Sequence, residues 1–231
     1  MKTVPKRASG ALECASGGVN APRPRGRPRG FDRAAALEAA MNVFWRKGFE
    51  ATSVQDLTQA MGINPPSLYA AFGDKERLFL EAVVYYQEGR YASCPYVEEA
   101  TAKGAVGRLL AHLADELPAP EHPGCLMVMT MATAGCSPEL KAALSERRAF
   151  SRTRLKERID RGIEEGDVPA GTDAASLADF FATIITGMAL QARDGATRRA
   201  LRATVERAMQ LFPDPPAARG KKRARREPQA A

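Results

Sequence analysis

The side chains best placed to do chemistry in this sequence lie between Thr52 and Lys75. The chemistry they suit is hydrogen bonding to a polyanion rather than bond making. Asn64-Pro65-Pro66-Ser67-Leu68-Tyr69-Ala70-Ala71-Phe72 reads as a helix of two turns. Asn64 is its cap, and Pro65 fits the first helical position, where a missing N–H costs nothing. At helical spacing Leu68, Ala71 and Phe72 share one face, which puts Pro66, Ser67, Tyr69 and Ala70 on the other. A rod this short enters a major groove end-on, with its N-terminal residues near base edges. Its dipole and free N–H groups also favour phosphate.

Other chemistry has little to stand on. There is no GxSxG elbow, P-loop or HExxH, and only His112 and His122 are present, so the sequence does not read as an enzyme. Of the four cysteines, Cys14, Cys94, Cys125 and Cys136, none forms a CxxC pair. His122 precedes Cys125 by three residues, a weak ligand spacing, so no metal or other cofactor is expected. Inert thiols are the default, with a redox or metal switch through Cys125 or Cys136 kept as the alternative.

The short rod must be held by other elements, and the pattern supplies them. Asp32 caps a first helix after Phe31, with Ala36, Leu37, Ala40, Met41 and Phe44 as its apolar stripe and Gly48 at its end. Ser53-Val54-Gln55-Asp56 opens a second helix like a capping box, with Val54, Leu57 and Met61 on one face. Gly62 stops it and supplies the positive φ of a turn, so Gly62-Ile63-Asn64 joins two short helices into a helix-turn-helix. Gly73 ends the rod and Asp74 caps a fourth helix. Further on, Val106, Leu109, Leu110 and Leu113 form a stripe. Residues 124–134 are apolar and Met-rich, and Ser137-Pro138-Glu139 opens a long charged helix ending at Gly166. Asp173 caps an apolar helix interrupted at Gly195, and a last helix runs through Phe212. No strand alternation of useful length appears, so the fold is expected to be all-α.

Charge divides the chain. The net charge is +7, but residues 1–30 carry seven basic side chains against Glu13, and residues 213–231 carry six against Asp214 and Glu227. The middle is mildly acidic. The two basic ends are rich in Gly, Pro, Ser and Ala without periodicity and read as disordered arms that track phosphates. The expected organisation is therefore a basic arm at 1–30, a helix-turn-helix domain at 31–79, a helical domain at 80–212 and a basic tail at 213–231. No apolar segment follows the first basic residues and no uninterrupted apolar run reaches membrane length, so a cytoplasmic protein without a membrane partner is expected.

Residues 27–83 resemble the DNA-binding domain of the tetracycline-repressor (TetR) family. The likeness is carried by Thr52-Ser53-Val54-Gln55-Asp56-Leu57, Met61-Gly62-Ile63, Ser67-Leu68-Tyr69 and Phe72-Gly73-Asp74-Lys75-Glu76-Arg77-Leu78. The resemblance implies an N-terminal three-helix DNA-binding domain, a C-terminal helical ligand-binding and dimerisation domain, and a homodimeric regulator, a repressor released from a double-stranded operator by a small molecule. It implies that Thr52 or Ser53 contacts phosphate, that Asn64, Pro66, Ser67 and Tyr69 lie in or beside the major groove, that Lys75 binds phosphate, and that Arg27, with Arg25 beside it, reaches the minor groove. The chain departs from many members at Ala70-Ala71, where they carry an aromatic residue or His before the Phe.

Each assignment has a plainer rival. Tyr69 could pack, Ser53 is a cap in either case, and Arg27 could belong to a solubilising tail. For the small-molecule site, an apolar or aromatic guest is expected, with Cys125, Met127, Met129, Phe180 and Ile184 as candidate walls. The methionines fit a core equally well, and Phe180 and Ile184 fit a dimer interface built from the last two helices.

Overall fold

The computed structural model describes residues 30–93, 99–132 and 135–214. All regular structure among them is helical: α1 (Arg33–Ala51), α2 (Val54–Met61), α3 (Pro65–Phe72), α4 (Lys75–Ser93), α5 (Ala102–Glu116), α6 (Leu126–Met129) with a 3₁₀ turn at Thr130–Ala132, α7 (Pro138–Glu165), α8 (Ala174–Arg193) and α9 (Arg198–Met209). The tails expected at 1–30 and 213–231, and Arg27 with them, lie almost wholly outside the described residues.

Local signals place most of the helix starts. Asp32 Oδ1 accepts from the N–H groups of Ala34 and Ala35, Asn64 Oδ1 from Ser67, Asp173 Oδ1 from Ala175 and Ser176, and Ser137 Oγ from Leu140. Ser53 and Asp56 form a complete capping box. These contacts satisfy N–H groups that a helix start leaves without an intrahelical partner.

Two helix ends differ from the pattern. Gly48 (φ 78°, ψ 169°) breaks α1 rather than closing it, and one more turn follows that sends Phe49 into the core. The last helix stops at Met209. Phe212 then turns inward to pack on Phe181, with ring centroids 5.7 Å apart, while Leu211 stays exposed. Within the apolar Met-rich segment, residues 126–132 form one α turn and one 3₁₀ turn, with Leu126 and Val128 buried.

Two apolar clusters organise the described body. The first gathers α1–α4 around Phe44, Leu57, Leu68, Leu78 and Phe79, and extends to Leu126, Leu140 and Leu144 of α6 and α7. Phe79 packs on Phe44 and on Phe49 at 4.9 Å each. The second joins α5, the C-terminal half of α7, α8 and α9 around Leu110, Ile159, Phe181 and Leu201. α4 runs unbroken through residue 80, and α7 contributes to both clusters, so these two helices tie the N-terminal helices to the rest. At the foot of the second cluster, α7 passes so close to α5 that Gly162 has no room for a side chain. A Cβ there would sit 2.6 Å from that of Ala102 and 2.5 Å from Asp167 Oδ1. By length and hydropathy alone α8 is long and apolar enough to cross a bilayer. It instead packs Ala178, Phe181, Met188 and Ala192 into the second cluster.

Candidate functional site

The orientation of α3 follows from its sequence. Leu68 is fully buried and Phe72 nearly so, while Tyr69 is 50% exposed and Pro66 and Ala70 face solvent. Burial of a Leu of this kind is worth about 1.5–3 kcal/mol, enough to hold an eight-residue helix that would not persist alone. Gly62 (φ 64°) makes the left-handed turn into it. Arg33 fixes the far end. Its guanidinium lies 4.4 Å over the Phe72 ring, donates to the Ala71 carbonyl and pairs with Glu81 of α4 at 2.6 Å.

The flanking candidates divide. Thr52 is 1% exposed, and its hydroxyl donates to the Gly48 carbonyl at 2.6 Å. The expectation that Thr52 contacts phosphate is therefore corrected: its hydroxyl is spent on the broken end of α1 and cannot reach an external partner. Ser53 is exposed but engaged with Asp56, both as cap acceptor and as donor. The Lys47 ammonium bound to Asp56 at 2.6 Å, together with the N–H and hydroxyl of Ser53, holds that carboxyl down at about 2. Asn64 is exposed beyond its capping bond. Lys75 is half-buried with its ammonium 4.4 Å over the Phe49 ring. Ser67, half-buried, stands between Pro66 and the buried Leu68. Asn64, Pro66, Ser67 and Tyr69 thus share one helix and its cap.

A second feature lies among α4–α8: a cavity of about 710 Å³. Cys125 and Met127 line it, whereas Met129, Phe180 and Ile184 do not. Ile185 lines it in place of Ile184, and Met131 in place of Met129. Phe180 instead borders a shallow groove with Leu177 and Leu211. Sequence reading did not mark the polar wall: Gln87 from α4, His112 from α5, Arg148 and Arg152 from α7, and Asp179 from α8. Arg148 donates to Thr130 Oγ1 at 2.8 Å, and Thr130 in turn donates to the Met127 carbonyl at 2.7 Å. Gln87 is 5% exposed. Its Nε2 donates to the Arg147 carbonyl at 3.2 Å, but its Oε1 is buried with no hydrogen-bond donor. An orphan acceptor of this kind costs about 1–3 kcal/mol unless something fills it.

The cavity wall touches the N-terminal helices. Tyr86 donates to Cys125 Sγ at 3.3 Å, and the Trp45 ring of α1 meets the Tyr86 ring edge-on at 4.8 Å while stacking on His122 at 5.0 Å. Glu76, at the start of α4, accepts from the backbone N–H and hydroxyl of Ser137, the cap of α7. Arg193 at the end of α8 donates to the carbonyls of Trp45 and Arg46. Cys136 is buried in the first cluster, and Cys125 carries a free thiol. Among the described residues no three His, Cys, Asp or Glu side chains gather closely enough to hold a metal.

Comparison with known proteins gives this architecture a family. Residues 36–82 match the family described as bacterial regulatory proteins, tetR family, and residues 98–208 match the tetracyclin repressor-like C-terminal domain. The chain belongs to the TetR family of transcriptional regulators. It is 33% identical to the HTH-type transcriptional repressor ComR of Escherichia coli over 197 residues, which cover 83% of this chain and 94% of that one. It is 30% identical to the HTH-type transcriptional repressor BdcR of the same organism over 185 residues, 79% and 89% of the two chains. Among solved structures it is similar to a cysteine mutant of the TetR family regulator CifR complexed with 26bp double-strand operator DNA. That match has a TM-score of 0.74 and 45% identity and covers 81% of this chain and 100% of that one. These relatives are regulators, not enzymes, and the comparisons lend the thiol-switch alternative no support.

Proposed function

We propose that this chain is a dimeric transcriptional repressor that grips an operator duplex through the outer face of α3 and releases it when a small molecule fills the α4–α8 cavity. The observation that carries the reading is the orientation of α3: Leu68 and Phe72 are sealed inside and Tyr69 is half exposed, with Pro66 beside it. That face is presented by a chain 45% identical to a regulator solved on operator DNA. Asn64, Pro66, Ser67 and Tyr69 are the proposed groove contacts. Ser53 and Lys75 are the proposed phosphate contacts, with Arg27 reaching the minor groove.

Dimerisation is supported by what α8 leaves uncovered. Leu177, Phe180 and Ile184 share one face of α8 and are half-buried, an apolar strip suited to a second copy, and Leu190 near the end of the helix is 54% exposed. Two recognition helices in such a dimer would meet successive major grooves roughly 34 Å apart. Release requires that the guest bind better to a conformer whose recognition helices are wrongly spaced. The contacts from Cys125 through Tyr86 to Trp45, and from Ser137 to Glu76, are the proposed route from cavity to head. The reading is tested by a mobility shift with the duplex upstream of the chain's own gene, alongside light scattering. A dimer that retards this duplex and not a scrambled one is expected. A monomer, or equal retardation of both duplexes at physiological salt, would overturn it.

A further inference from the structure

We infer that the guest of the α4–α8 cavity is a carboxylic acid with an apolar body and a hydrogen-bond donor, its carboxylate seated on Arg148 and its donor on Gln87 Oε1. The inference rests on the reading of this cavity as the effector site and names the chemical class that fits it.

Two unmet demands point to that class. Arg148 lines the cavity half-buried, and among the described residues its hydrogen bond is to Thr130 Oγ1. Among the described residues no carboxylate pairs with it. Asp179 is the one acidic side chain among the described residues of the wall, and Arg152 already offsets it at 3.6 Å. Among the described residues one positive charge is therefore left without a counter-ion. Burial pushes the Arg148 guanidinium below its ordinary value, a strain that a bound anion relieves. A planar carboxylate matches the guanidinium fork, and a single negative charge is all the site can neutralise; a dianion would leave one charge buried without a partner.

The second demand is the Gln87 oxygen. Its amide orientation follows from the contact of Nε2 with the Arg147 carbonyl, which requires a donor there. Oε1 is then a buried acceptor with no donor, in the wall of a cavity. It answers a guest hydroxyl or N–H. The two demands are adjacent, because Gln87 rests on the carbonyl of the residue preceding Arg148 and reaches Ser151 Oγ, one turn further along α7, at 3.5 Å. The remainder of the wall, including Leu109, Leu113, Met127, Val128, Leu155 and Ile185, takes the apolar body.

The test uses the full chain and a graded series of hydroxyaryl alkanoic acids, each with its methyl ester, its methyl ether and the parent phenol. Binding is read by calorimetry and by the emission of Trp45, the single tryptophan, whose ring meets Tyr86 of the wall. The acids should bind at least about tenfold tighter than their esters and phenols, and the ethers should lose about as much as one hydrogen bond carries. Arg148→Met should abolish the preference for acid over ester, and Arg148→Lys should restore part of it. Gln87→Met should erase the preference for hydroxyl over ether, with melting curves confirming that each variant folds. Esters and ethers binding as tightly as the free acids, or an acid preference that survives Arg148→Met, overturns the proposal, as does a series in which no acid binds. Retardation of the promoter duplex by the unliganded protein is measured in parallel. Its loss would sink the regulator reading without touching the ranking of the acids.

Discussion

Replacing Thr52 with Val separates a structural hydroxyl from a DNA-contacting one. Val matches the shape of Thr but cannot donate, so Thr52→Val leaves the carbonyl of the half-buried Gly48 without the bond it receives at 2.6 Å. Losing a hydrogen bond at a half-buried backbone acceptor costs about 0.5–1.5 kcal/mol. In a chain of this size that lowers Tm by about 1–6 °C. Thr52 is 1% exposed, so the folded variant should bind its duplex within about twofold of wild type. Differential scanning calorimetry and fluorescence anisotropy, both below the variant's Tm, measure the two quantities. A phosphate contact would give the opposite pattern, because a charge-assisted bond is worth about 1.5–3 kcal/mol, or roughly 10- to 150-fold in Kd. A variant with wild-type Tm and a tenfold weaker Kd would refute the assignment of Thr52 to the end of α1.

Other outcomes follow from the same geometry. Gly162→Ala forces a Cβ within 2.6 Å of Ala102 and should cost about 1–3 kcal/mol by overpacking the α5–α7 crossing, seen as a lower urea midpoint. The Asp56 carboxyl sits at about 2 in the folded chain against an ordinary 3.8, so the unfolded chain binds the proton more readily. Its contribution is whole above pH 3.8 and is lost as pH falls toward about 2. The Tm gap between wild type and Asp56→Asn should close across that window, and a gap that stays constant would contradict the assignment. Lys75→Met keeps an apolar stem over Phe49 and should lower the slope of log Kd against log salt by about 0.9, the mark of one phosphate contact; an unchanged slope would remove Lys75 from the interface.

What the sequence makes legible here is what local chemistry decides. Asp32, Ser53, Asn64, Ser137 and Asp173 cap the helices they were expected to cap, because a cap is a bond between residues two or three apart. The two faces of α3 were equally readable, since Leu68 and Phe72 stand one turn apart. Thr52 was misread because a hydroxyl looks alike whether it faces solvent or a neighbouring carbonyl, and only the break at Gly48 decides. The cavity was the least legible. Gln87 and Arg147 meet across 60 residues of chain, and no periodicity announces that meeting. On α8 a single step from Ile184 to Ile185 turns the side chain by about 100° and exchanges another face for a cavity wall. Spacing set the stripe but not which edge of it would border empty space.

The central claim, that the outer face of α3 is the gene-reading surface, is tested most directly by the Kd of a Ser67→Ala, Tyr69→Ala double variant for the duplex upstream of its own gene, at fixed salt and with Tm recorded. Tyr69 is half exposed, so the fold should hold while affinity falls by about a hundredfold toward that for a scrambled duplex. A double variant that binds the upstream duplex as tightly as wild type would contradict the account.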